Sequence, residues 1–454
     1  GYNLNKRLLE EGFYINLGIF PAVPVKNTGL RFTITNHISK KEIKHFVDAL
    51  EHHYPLALKE EGKSNNDVRK AFRLPLLNEN ESNRTNSSDL KIFIFRNIQE
   101  INEHEWDQCF SGKGNFDWNG LKALENAFTF NEKEEENWNF YYLIIRDEKN
   151  EIILASYFTS GLFKDDLFEV PSVSFEIEKK RKEDPKFLTS KLLMMGSLFS
   201  EGEHLFVNRK HPLWKKAIEH LVHFTLKIER NDNLNGTILR DFHKNDSEIS
   251  DLFHELGFFK SQLPNTNILS NLPESIDMFY STLSGKKRKH IRDEVFKFIS
   301  DLDISFHENL SQNEIDIAYR LYETVANRNF SINMFKYPKT IFSSISKSND
   351  WEFIIIKIKK EYAAIGCCYK SGSNYFPLLL GLSDQFNKDF KIYKQVLFQV
   401  VNRAIELKVK TIYFGISADL EKKKLGAESI EKVAYSNIKD NFNATIIQNI
   451  SMIA

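Results

Sequence analysis

Between residues 384 and 424 the chain carries a carboxylate, a phenol and several lysines, the side chains that a group transfer needs. They are Asp384, Tyr393, Lys391, Lys394 and Lys424. A carboxylate can take a proton from an amine, a phenol can return one to a leaving group, and lysines attract an anionic donor. Plainer roles fit as well: a helix cap for Asp384, core packing for Tyr393 and a solvated charge run for the lysines. The residue types therefore indicate acid–base group transfer and leave each individual role open.

The segments around these residues predict the elements that position them. Three strands, a long helix and a fourth strand are predicted at residues 351–358, 363–369, 375–380, 392–407 and 411–416. Because a helix joins the last two strands, they can splay apart, and a thioester can lie between them with its amide arm against the free strand edge. The helix N-terminus near Phe390–Tyr393 offers unpaired amides to a phosphate. The pattern therefore predicts a slot for an acyl donor.

Sequence motifs in this half of the chain carry a family resemblance. The motifs are Phe279–Arg292, Arg328-Asn-Phe, Gly381-Leu-Ser-Asp, Phe414-Gly-Ile-Ser and Lys424-Leu-Gly-Ala. Together with the β-β-β-α-β order they resemble tandem GNAT acyltransferases related to the Fem-like peptidyltransferases and to cellulose-biosynthesis-type acetyltransferase domains. The resemblance implies an α/β (α+β) fold of two tandem GNAT-like units with central mixed sheets. It also implies N-acyltransferase activity.

The resemblance assigns candidate roles to individual residues. It implies Tyr393 as the general acid and Asp384 as the base for the amine. Acyl-donor contacts are expected from Gly381, Lys391, Lys394, Gly415, Ser417, Lys424 and Gly426. Glu323 and Arg328, on a helix before the strands, are expected to bind the acceptor. A basic run that includes Lys286, Lys287, Arg288 and Arg292 could contact carrier phosphates, RNA or anionic headgroups, or could form a solvated helix face.

The predicted donor slot departs in one respect from GNAT enzymes that use coenzyme A. Their loop before the helix carries glycines that let the backbone approach the pyrophosphate, whereas residues 384–393 contain no glycine. Lysines in this loop can supply charge but not a close backbone approach. The donor therefore stays open between acyl-CoA, an acyl carrier protein thioester and aminoacyl-tRNA.

The strand and helix pattern recurs upstream. Its counterparts are predicted at residues 140–146, 152–158, 214–228 and 237–242. We therefore predict a first GNAT-like unit at residues 90–272 and a second, catalytic one at residues 273–454. The first unit contains His204, His211 and His220, whose spacings do not indicate a metal site. We expect that unit to be structural or to bind the acceptor.

The N-terminal segment resembles a different enzyme. Gly12–Pro24, with its Pro-Ala-Val-Pro motif, and Gly29-Leu-Arg-Phe, followed by an amphipathic helix, resemble the C-terminal lobe of pyridoxal-phosphate α-oxoamine synthases. That family includes serine palmitoyltransferase-like and 8-amino-7-oxononanoate synthase-like enzymes. The resemblance implies that Arg31 holds the substrate carboxylate, with a surface position as the alternative. The cofactor residues of that family lie upstream, so pyridoxal phosphate is expected only in a missing upstream domain. We predict a lobe fragment at residues 1–60 and a polar linker at 61–89.

Composition restricts the class of protein. The 62 basic residues balance 62 acidic residues, which gives no reason to expect DNA as a partner. Three cysteines cannot form a disulfide framework, so the chain fits a reducing cytoplasm, and no metal ligand set is expected. No apolar run approaches the roughly 18 residues of a membrane span, so contact with the inner membrane would be peripheral at most. The 38 Phe and 16 Tyr residues indicate a large aromatic core or a channel for an acyl chain.

Three functions are compatible with these features. The leading one is transfer of an acyl group from CoA or acyl carrier protein to a small-molecule or lipid amine made by an associated α-oxoamine synthase. The second is a non-catalytic module that presents the carrier protein to such a synthase. The third is Fem-like aminoacyl transfer from tRNA. We rank it last because the chain shows no sustained heptads for the coiled coil expected there.

Overall fold

The computed structural model describes residues 1–18, 29–35, 37–71, 90–439 and 442–452. The chain divides into two compact units, Gly1–Ser88 and Asp89–Ala454. The Pro-Ala-Val-Pro motif and residues 72–89 of the predicted linker lie outside the described residues. Among the residues described, no helix has the length and apolar character needed to cross a membrane.

The N-terminal unit is a small α+β assembly. Its elements are α1 (Tyr2–Glu10), β1 (Asn16–Gly18), β2 (Gly29–Arg31), α2 (Lys40–Glu60) and α3 (Asn65–Ala71). A capping box starts α2: the Ser39 hydroxyl accepts a hydrogen bond from the Glu42 amide at 3.3 Å, and the Glu42 carboxylate accepts one from the Ser39 amide at 2.7 Å. The predicted helix from Lys40 is confirmed, whereas α3 lies inside the segment predicted as a linker. Arg31 is exposed at the end of β2, and its role in a synthase lobe stays a prediction.

The larger unit contains two mixed sheets. The first consists, within the described residues, of β3 (Leu90–Phe95), β4 (Asn139–Asp147), β5 (Ile152–Lys164), β6 (Thr189–Met195), β7 (Leu205–Val207), β8 (Gly236–His243), β9 (Phe259–Gln262) and β17 (Lys432–Ile438). The second consists, in the same described part, of β10 (Thr266–Ser270), β11 (Asp303–His307), β12 (Trp351–Ile358), β13 (Glu361–Ser371), β14 (Asn374–Leu382), β15 (Thr411–Gly415) and β16 (Glu428–Ile430).

Helices connect these strands. In the first half they are α4 (Glu103–Phe110), α5 (Trp118–Ala127), α6 (Pro171–Arg181), α7 (Trp214–Asn231) and α8 (Ser247–Glu255). In the second half they are α9 (Ile276–Thr282), α10 (Gly285–Ile291), α11 (Gln312–Ala326), α12 (Thr340–Ile345), α13 (Asp384–Phe390), α14 (Ile392–Glu406), α15 (Asp419–Lys424) and α16 (Phe442–Ser451). A π-helical turn at Arg292–Phe296 follows α10.

The internal repeat predicted from the sequence is present. The elements β4, β5, β6, α7 and β8 recur in the same order as β12, β13, β14, α14 and β15. In each copy the strand after the helix pairs in parallel with the third strand of the copy, β8 with β6 and β15 with β14. These observations confirm the predicted α+β architecture of two tandem units with central mixed sheets.

The two sheets exchange strands across the predicted domain boundary. β10 precedes that boundary yet lies between β15 and β16 in the second sheet, and β17, near the C-terminus, lies between β8 and β9 in the first. The boundary predicted at residues 272/273 therefore does not separate the sheets. Chain order suggested it, but pairing with distant partners decides which sheet a strand joins. Each sheet thus depends on strands from both halves of the larger unit.

An aromatic core joins the two halves. It includes Trp106, Phe116, Phe128, Trp138, Tyr337, Trp351 and Tyr369. Beside this core Asp117 caps α5, because its Oδ1 atom accepts a hydrogen bond from the Gly120 amide at 3.1 Å. The same carboxylate accepts hydrogen bonds from Tyr369 and, at 2.8 Å, from Ser371, both on β13. Burial raises the pKa of Asp117 to about 6.

Candidate functional site

The predicted splay of two strands forms the centre of the site. Within the described residues, β14 and β15 pair at two positions, Asn374 with Thr411 and Tyr375 with Ile412. β14 then continues to Leu382 without this partner, and its edge is open on that side. The open edge is where the sequence predicted a thioester slot.

A cavity of about 650 Å³ lies at the splayed strands. Much of its wall is apolar, and includes Phe376, Leu380, Val396, Leu397 and Val400. Its polar lining groups come from both halves of the unit: Glu201, Arg240, Arg328, Tyr393, Ser417 and Lys422. The cavity therefore combines an apolar channel with several side chains that can transfer protons or carry charge.

Tyr393 lies where the sequence placed it, on the first turn of α14 and in the cavity wall. Burial raises the pKa of its phenol to about 12, so the group stays protonated at neutral pH and has a proton to give. The amides predicted for a phosphate are partly occupied, since Tyr393 N donates to Asn387 Oδ1 at 2.9 Å and Lys394 N to Lys391 O at 2.8 Å. The glycine-free loop itself forms α13.

Asp384 does not occupy the place of a buried base. It starts α13 and forms an ion pair with Arg328, and the side chains are 57% and 44% exposed respectively. Arg328 contributes to the cavity wall, but Asp384 does not. Glu323, the other predicted acceptor residue, pairs with Lys336 at 2.8 Å and also lies outside the wall. Asp384 thus lies at the solvent-exposed start of a helix.

The predicted glycines have different surroundings. A Cβ atom on Gly381 would lie 2.7 Å from Leu321 Cβ, so this glycine permits close packing of β14 against α11 and is not a donor contact. Gly426 has a φ of +98° in a turn. Gly415 lines the cavity with a φ of +74°, and a Cβ there would lie 2.7 Å from Glu201 Oε2. Ser417, also in the wall, has a left-handed φ of 69°.

A group of basic side chains surrounds Glu421, and we call it the Glu421 cluster. His290, Lys394 and Lys424 place nitrogen atoms 3.3, 3.8 and 2.7 Å from Glu421 carboxylate oxygens, and Lys394 also pairs with Glu294 at 2.9 Å. After burial, the negative charge of Glu421 is the second cause of the raised pKa of Tyr393, so the cluster lies near the cavity wall that contains Tyr393. Two of the predicted donor lysines therefore meet one residue of the predicted basic run.

The rest of the basic run is dispersed over the surface. Lys286 is exposed and Lys287 is half-buried, both on α10. Arg288 donates to Ser281 O at 3.2 Å, and Arg292 lies 3.7 Å from Asp293. Lys391 has a left-handed φ of 54° between α13 and α14, and its ammonium donates to Lys388 O at 2.9 Å. None of these five basic residues belongs to the lining of the cavity.

Three charged side chains in the cavity wall, one buried and two half-buried, have no role among the predicted site residues. Burial, and next the nearby charge of Asp241, raise the pKa of Glu201. Lys422 is 3% exposed and donates to Gly415 O at 2.9 Å and Ile416 O at 2.7 Å, and burial lowers its pKa to about 8. Arg240 donates to Ser197 O at 2.7 Å. Lys422 belongs to a run of lysines that the sequence predicts to be exposed to solvent, and Glu201 lies in a polar loop. The local sequence therefore does not identify either residue as functional.

A second cavity, of about 830 Å³, shares Leu198, Arg240 and Ile416 with the first. Its lining is contributed by β6, β8, β17 and α16, and includes the apolar side chains Leu192, Met194, Ile238, Ala434 and Ile447. The two cavities therefore meet at Arg240.

One group within the described ranges has the spacing of metal ligands, Asp147, Glu151 and His211. Its carboxylates are engaged, since Asp147 accepts from the Glu151 amide and Glu151 accepts from the Asn208 side chain, both at 2.8 Å. None of the three lines either cavity. His204 and His220 are not part of the group.

The tandem units, the splayed strands and the cavity between them define the class: a GNAT-type acyltransferase fold. In agreement, residues 285–423 match the family described as an acetyltransferase (GNAT) domain. Proteins of this fold generally take the acyl group from acyl-CoA. The crystal structure of FemX aligns over 77% of this chain and 98% of its own, with 13% identity and a TM-score of 0.50, which shows a common fold.

Two other solved structures align at TM-scores too low to support an inference. A tandem GNAT protein from the clavulanic acid biosynthesis pathway aligns over 77% of this chain and 99% of its own, with 8% identity and a TM-score of 0.45. L-PGS from Bacillus licheniformis aligns over 58% and 85%, with 12% identity and a TM-score of 0.40. No curated protein sequence matches the chain.

Proposed function

We propose that this protein is an N-acyltransferase that moves an acyl group from a thioester to an amine inside the 650 Å³ cavity. The observation that carries the proposal is the open edge of β14 facing a cavity in which a carboxylate and a phenol meet apolar walls. Acyl transfer of this kind needs little more than orientation, one proton acceptor, one proton donor and a positive environment for the oxyanion.

The donor lies along β14. Its amide arm pairs with the strand beyond Tyr375, and its acyl chain lies against Leu380, Val396 and Val400. The lysines of the Glu421 cluster, Lys394 and Lys424, contact the donor's phosphates, while Glu421 and Glu294 hold their ammonium groups in place. The missing glycines and the short helix α13 remove a close backbone contact with a pyrophosphate. Acyl-CoA and an acyl carrier protein thioester both fit this arrangement, and the carrier protein needs no pyrophosphate contact.

Glu201 takes the proton from the amine, because a carboxylate with a raised pKa is a stronger base than an exposed one. Arg240 and Lys422 place positive charge in the wall where an oxyanion forms. Tyr393 returns a proton to the leaving thiolate. Glu201 replaces Asp384 as the proposed base, since Asp384 is paired with Arg328 at the surface.

The amine enters from the second cavity. Its apolar lining favours an acceptor with an aliphatic chain, and its junction with the first cavity at Arg240 brings the amine to the thioester. A lipid amine is therefore the acceptor class we propose. An associated α-oxoamine synthase would make such an amine, as the N-terminal resemblance suggests.

The proposal is tested by incubating the protein with acyl-CoA or acyl carrier protein thioesters and a panel of long-chain and short amines, with amide products detected by mass spectrometry. We expect amide formation that is best with long-chain amines. Glu201→Gln should lower kcat by about 10² to 10⁴-fold. Glu203→Gln, two residues away and exposed, is the matched control and should keep wild-type activity. Carrier binding without any amide product would instead identify a carrier-presenting module, and product only with aminoacyl-tRNA would identify a Fem-like enzyme.

A further inference from the structure

A serine, a histidine and an aspartate line up at the junction of the two cavities. Ser200 Oγ lies 2.9 Å from His204 Nε2, and His204 Nδ1 lies 3.4 Å from Asp241 Oδ2. Ser200 belongs to the wall of the first cavity and Asp241 to that of the second. All three side chains are buried, at 3%, 1% and 6% exposure in that order. This is the order of groups in a nucleophilic hydroxyl triad.

The bond between the histidine and the aspartate is incomplete. In the described part of the chain, His204 Nδ1 and Asp241 Oδ2 are both buried atoms without a hydrogen bond. Asp241 Oδ2 has its nearest positive charge at Arg240, 2.9 Å away. When Ser200 donates to Nε2, the histidine proton must be on Nδ1, which faces Asp241. A small ring rotation completes this bond, and catalytic hydrogen bonds are often long before substrate binds.

The backbone is shaped around the histidine. Gly196 has a φ of +75°, and a Cβ atom there would lie 2.6 Å from the His204 ring. On its other side the ring packs against Phe116, with 4.6 Å between ring centroids. Asp241 itself has a φ of 69°, a strained conformation for an aspartate in a strand. Strain of this kind persists where the surrounding structure enforces a functional geometry.

The hydrogen bonds of Ser200 favour a negative charge on its oxygen. Its Oγ accepts from the Ser197 amide and the Ser197 hydroxyl, both at 3.1 Å, and lies 2.5 Å from the Tyr157 phenol, where either hydroxyl can donate. The hydroxyl hydrogen of Ser200 faces two acceptors, His204 Nε2 at 2.9 Å and Ser197 O at 3.2 Å. Burial lowers the pKa of His204, which keeps the imidazole neutral. Donors from Ser197 on one side of the hydroxyl and the His204 ring on the other are the environment of a nucleophile.

We propose that Ser200 carries the acyl group as a covalent ester between the donor and the amine, with His204 as its base and Asp241 as the residue that orients His204. This inference rests on the proposed acyltransferase function and gives it a ping-pong mechanism. Ser200 Oγ attacks the thioester carbonyl while His204 Nε2 takes the hydroxyl proton. The C–S bond breaks, the thiolate takes the proton of the Tyr393 phenol, and the proton held by His204 restores that phenol before the amine reacts.

The second half of the reaction reverses these transfers. The amine, deprotonated by Glu201, attacks the ester carbonyl of acyl-Ser200. The C–O bond breaks, and Ser200 Oγ recovers a proton from His204, which has received it from the amine through Glu201 or directly. Atoms and charges balance without an oxidant or a metal. Glu201 adjoins Ser200 in sequence, and both residues line the first cavity.

The experiment uses two probes on the full chain: a fluorophosphonate, and an S-acyl-N-acetylcysteamine thioester without amine. We expect one covalent adduct per chain by intact mass, mapped to Ser200 by peptide sequencing. Ser200→Ala and His204→Gln should lower labelling by about 10²-fold or more. Ser174→Ala, which removes another buried serine hydroxyl bonded within α6 and its loop, is the control and should label like the wild type. Thermal unfolding checks that each variant is folded. If Ser200→Ala does not fold, His204→Gln still tests the proposal.

The outcomes separate the two proposals. A folded wild type that gives no adduct with either probe overturns the Ser200 intermediate. So does a Ser200→Ala variant that transfers acyl groups to amines at the wild-type rate, and in that case the proposed acyltransferase function stands. An acylated Ser200 that never passes its acyl group to any amine supports the triad and overturns the N-acyltransferase function.

Discussion

The two parallel strand pairs of the larger unit occupy equivalent places in the repeat but serve different purposes. β6 and β8 pair over Leu192–Met194 and Gly236–Ile238, and the segment after β6 supplies Ser200, Glu201 and His204. β14 and β15 pair at two positions only in the described residues, and the segment after β14 forms α13 and leads into α14. Under the proposed function, the first copy supplies the base Glu201, and the second supplies the open edge and the proton donor Tyr393.

Under the proposed function, the two copies of the repeated unit therefore contribute different groups to one site. A slot for a donor needs a splayed edge and a helix start near a cation, which the second copy has. Proton transfer needs buried carboxylates and imidazoles, which the first copy has. The shared cavities and the exchanged strands hold the two sets of groups together. The division can be tested with pairs of variants at equivalent positions.

The largest effect is expected at the second residue of the repeated helix. Tyr393→Phe removes the proton donor from the cavity wall and should lower kcat by about 10³-fold with little change in stability. Lys215→Ala changes the equivalent residue of α7, an exposed lysine, and should leave kcat unchanged. Steady-state kinetics of both variants measure the comparison. Equal losses would show that the two copies do not differ in this way.

Asp117, whose carboxylate links α5 to β13, predicts an effect of pH on stability. The ordinary pKa of Asp117, 3.8, is raised to about 6 in the folded state, so the folded state holds a proton that the unfolded state has lost between these values. Asp117 should therefore contribute a fall of about 3 kcal/mol in the free energy of unfolding as pH rises from about 4 to about 6, and little change above that.

Urea titrations across this pH range measure the dependence. In Asp117→Asn the fall between pH 4 and 6 should be smaller by the Asp117 contribution, while the Gly120 cap is retained by the amide oxygen. Asp107→Asn, a half-buried neighbour that does not bond to β13, is the comparison variant. An unchanged slope in Asp117→Asn would remove Asp117 as its source.

Glu201, the proposed base in the first copy, predicts how kcat/KM falls at low pH. Because burial raises the pKa of Glu201, kcat/KM should fall about tenfold per pH unit below a midpoint higher than the pKa of 4.5 of an ordinary glutamate. The residual activity of Glu201→Gln should lack this limb, whereas Glu203→Gln should keep it. A limb that persists in Glu201→Gln would assign the proton transfer to another group.

The smallest effect is expected from the charges around the donor. The double change Lys394→Ala and Lys424→Ala should raise the KM for the donor about fivefold to tenfold at low salt, and less at 0.5 M salt, because these ammonium groups are partly exposed. Lys216→Ala, at the α7 position equivalent to Lys394, is the control. A salt-independent KM in the double variant would argue against the Glu421 cluster as a donor contact.

Much of the architecture follows from local pattern. Alternating apolar residues predicted β12, β13 and β14, and helical spacing predicted α14 from Ile392, within two residues of their ends in the structure. Tyr393 was predicted from its place at the start of that helix and lies in the cavity wall, and its role as the general acid stays a prediction. Glu201 was missed because nothing within a few residues distinguishes it from a polar surface loop, and Asp384 was misplaced because its partner Arg328 is distant in sequence.

What the amino-acid sequence determined by itself is therefore the repeated β-β-β-α-β unit, the absence of phosphate-loop glycines and the helix start at Tyr393. These depend on interactions between residues close in the chain, which periodicity and backbone preference specify. The tertiary structure alone decided that β10 and β17 exchange sheets, that Gly381 packs against α11, and that Ser200, Glu201, His204 and Asp241 meet at one cavity junction. Such contacts depend on burial and register between distant segments, and a carboxylate becomes a base only when the fold removes water from around it.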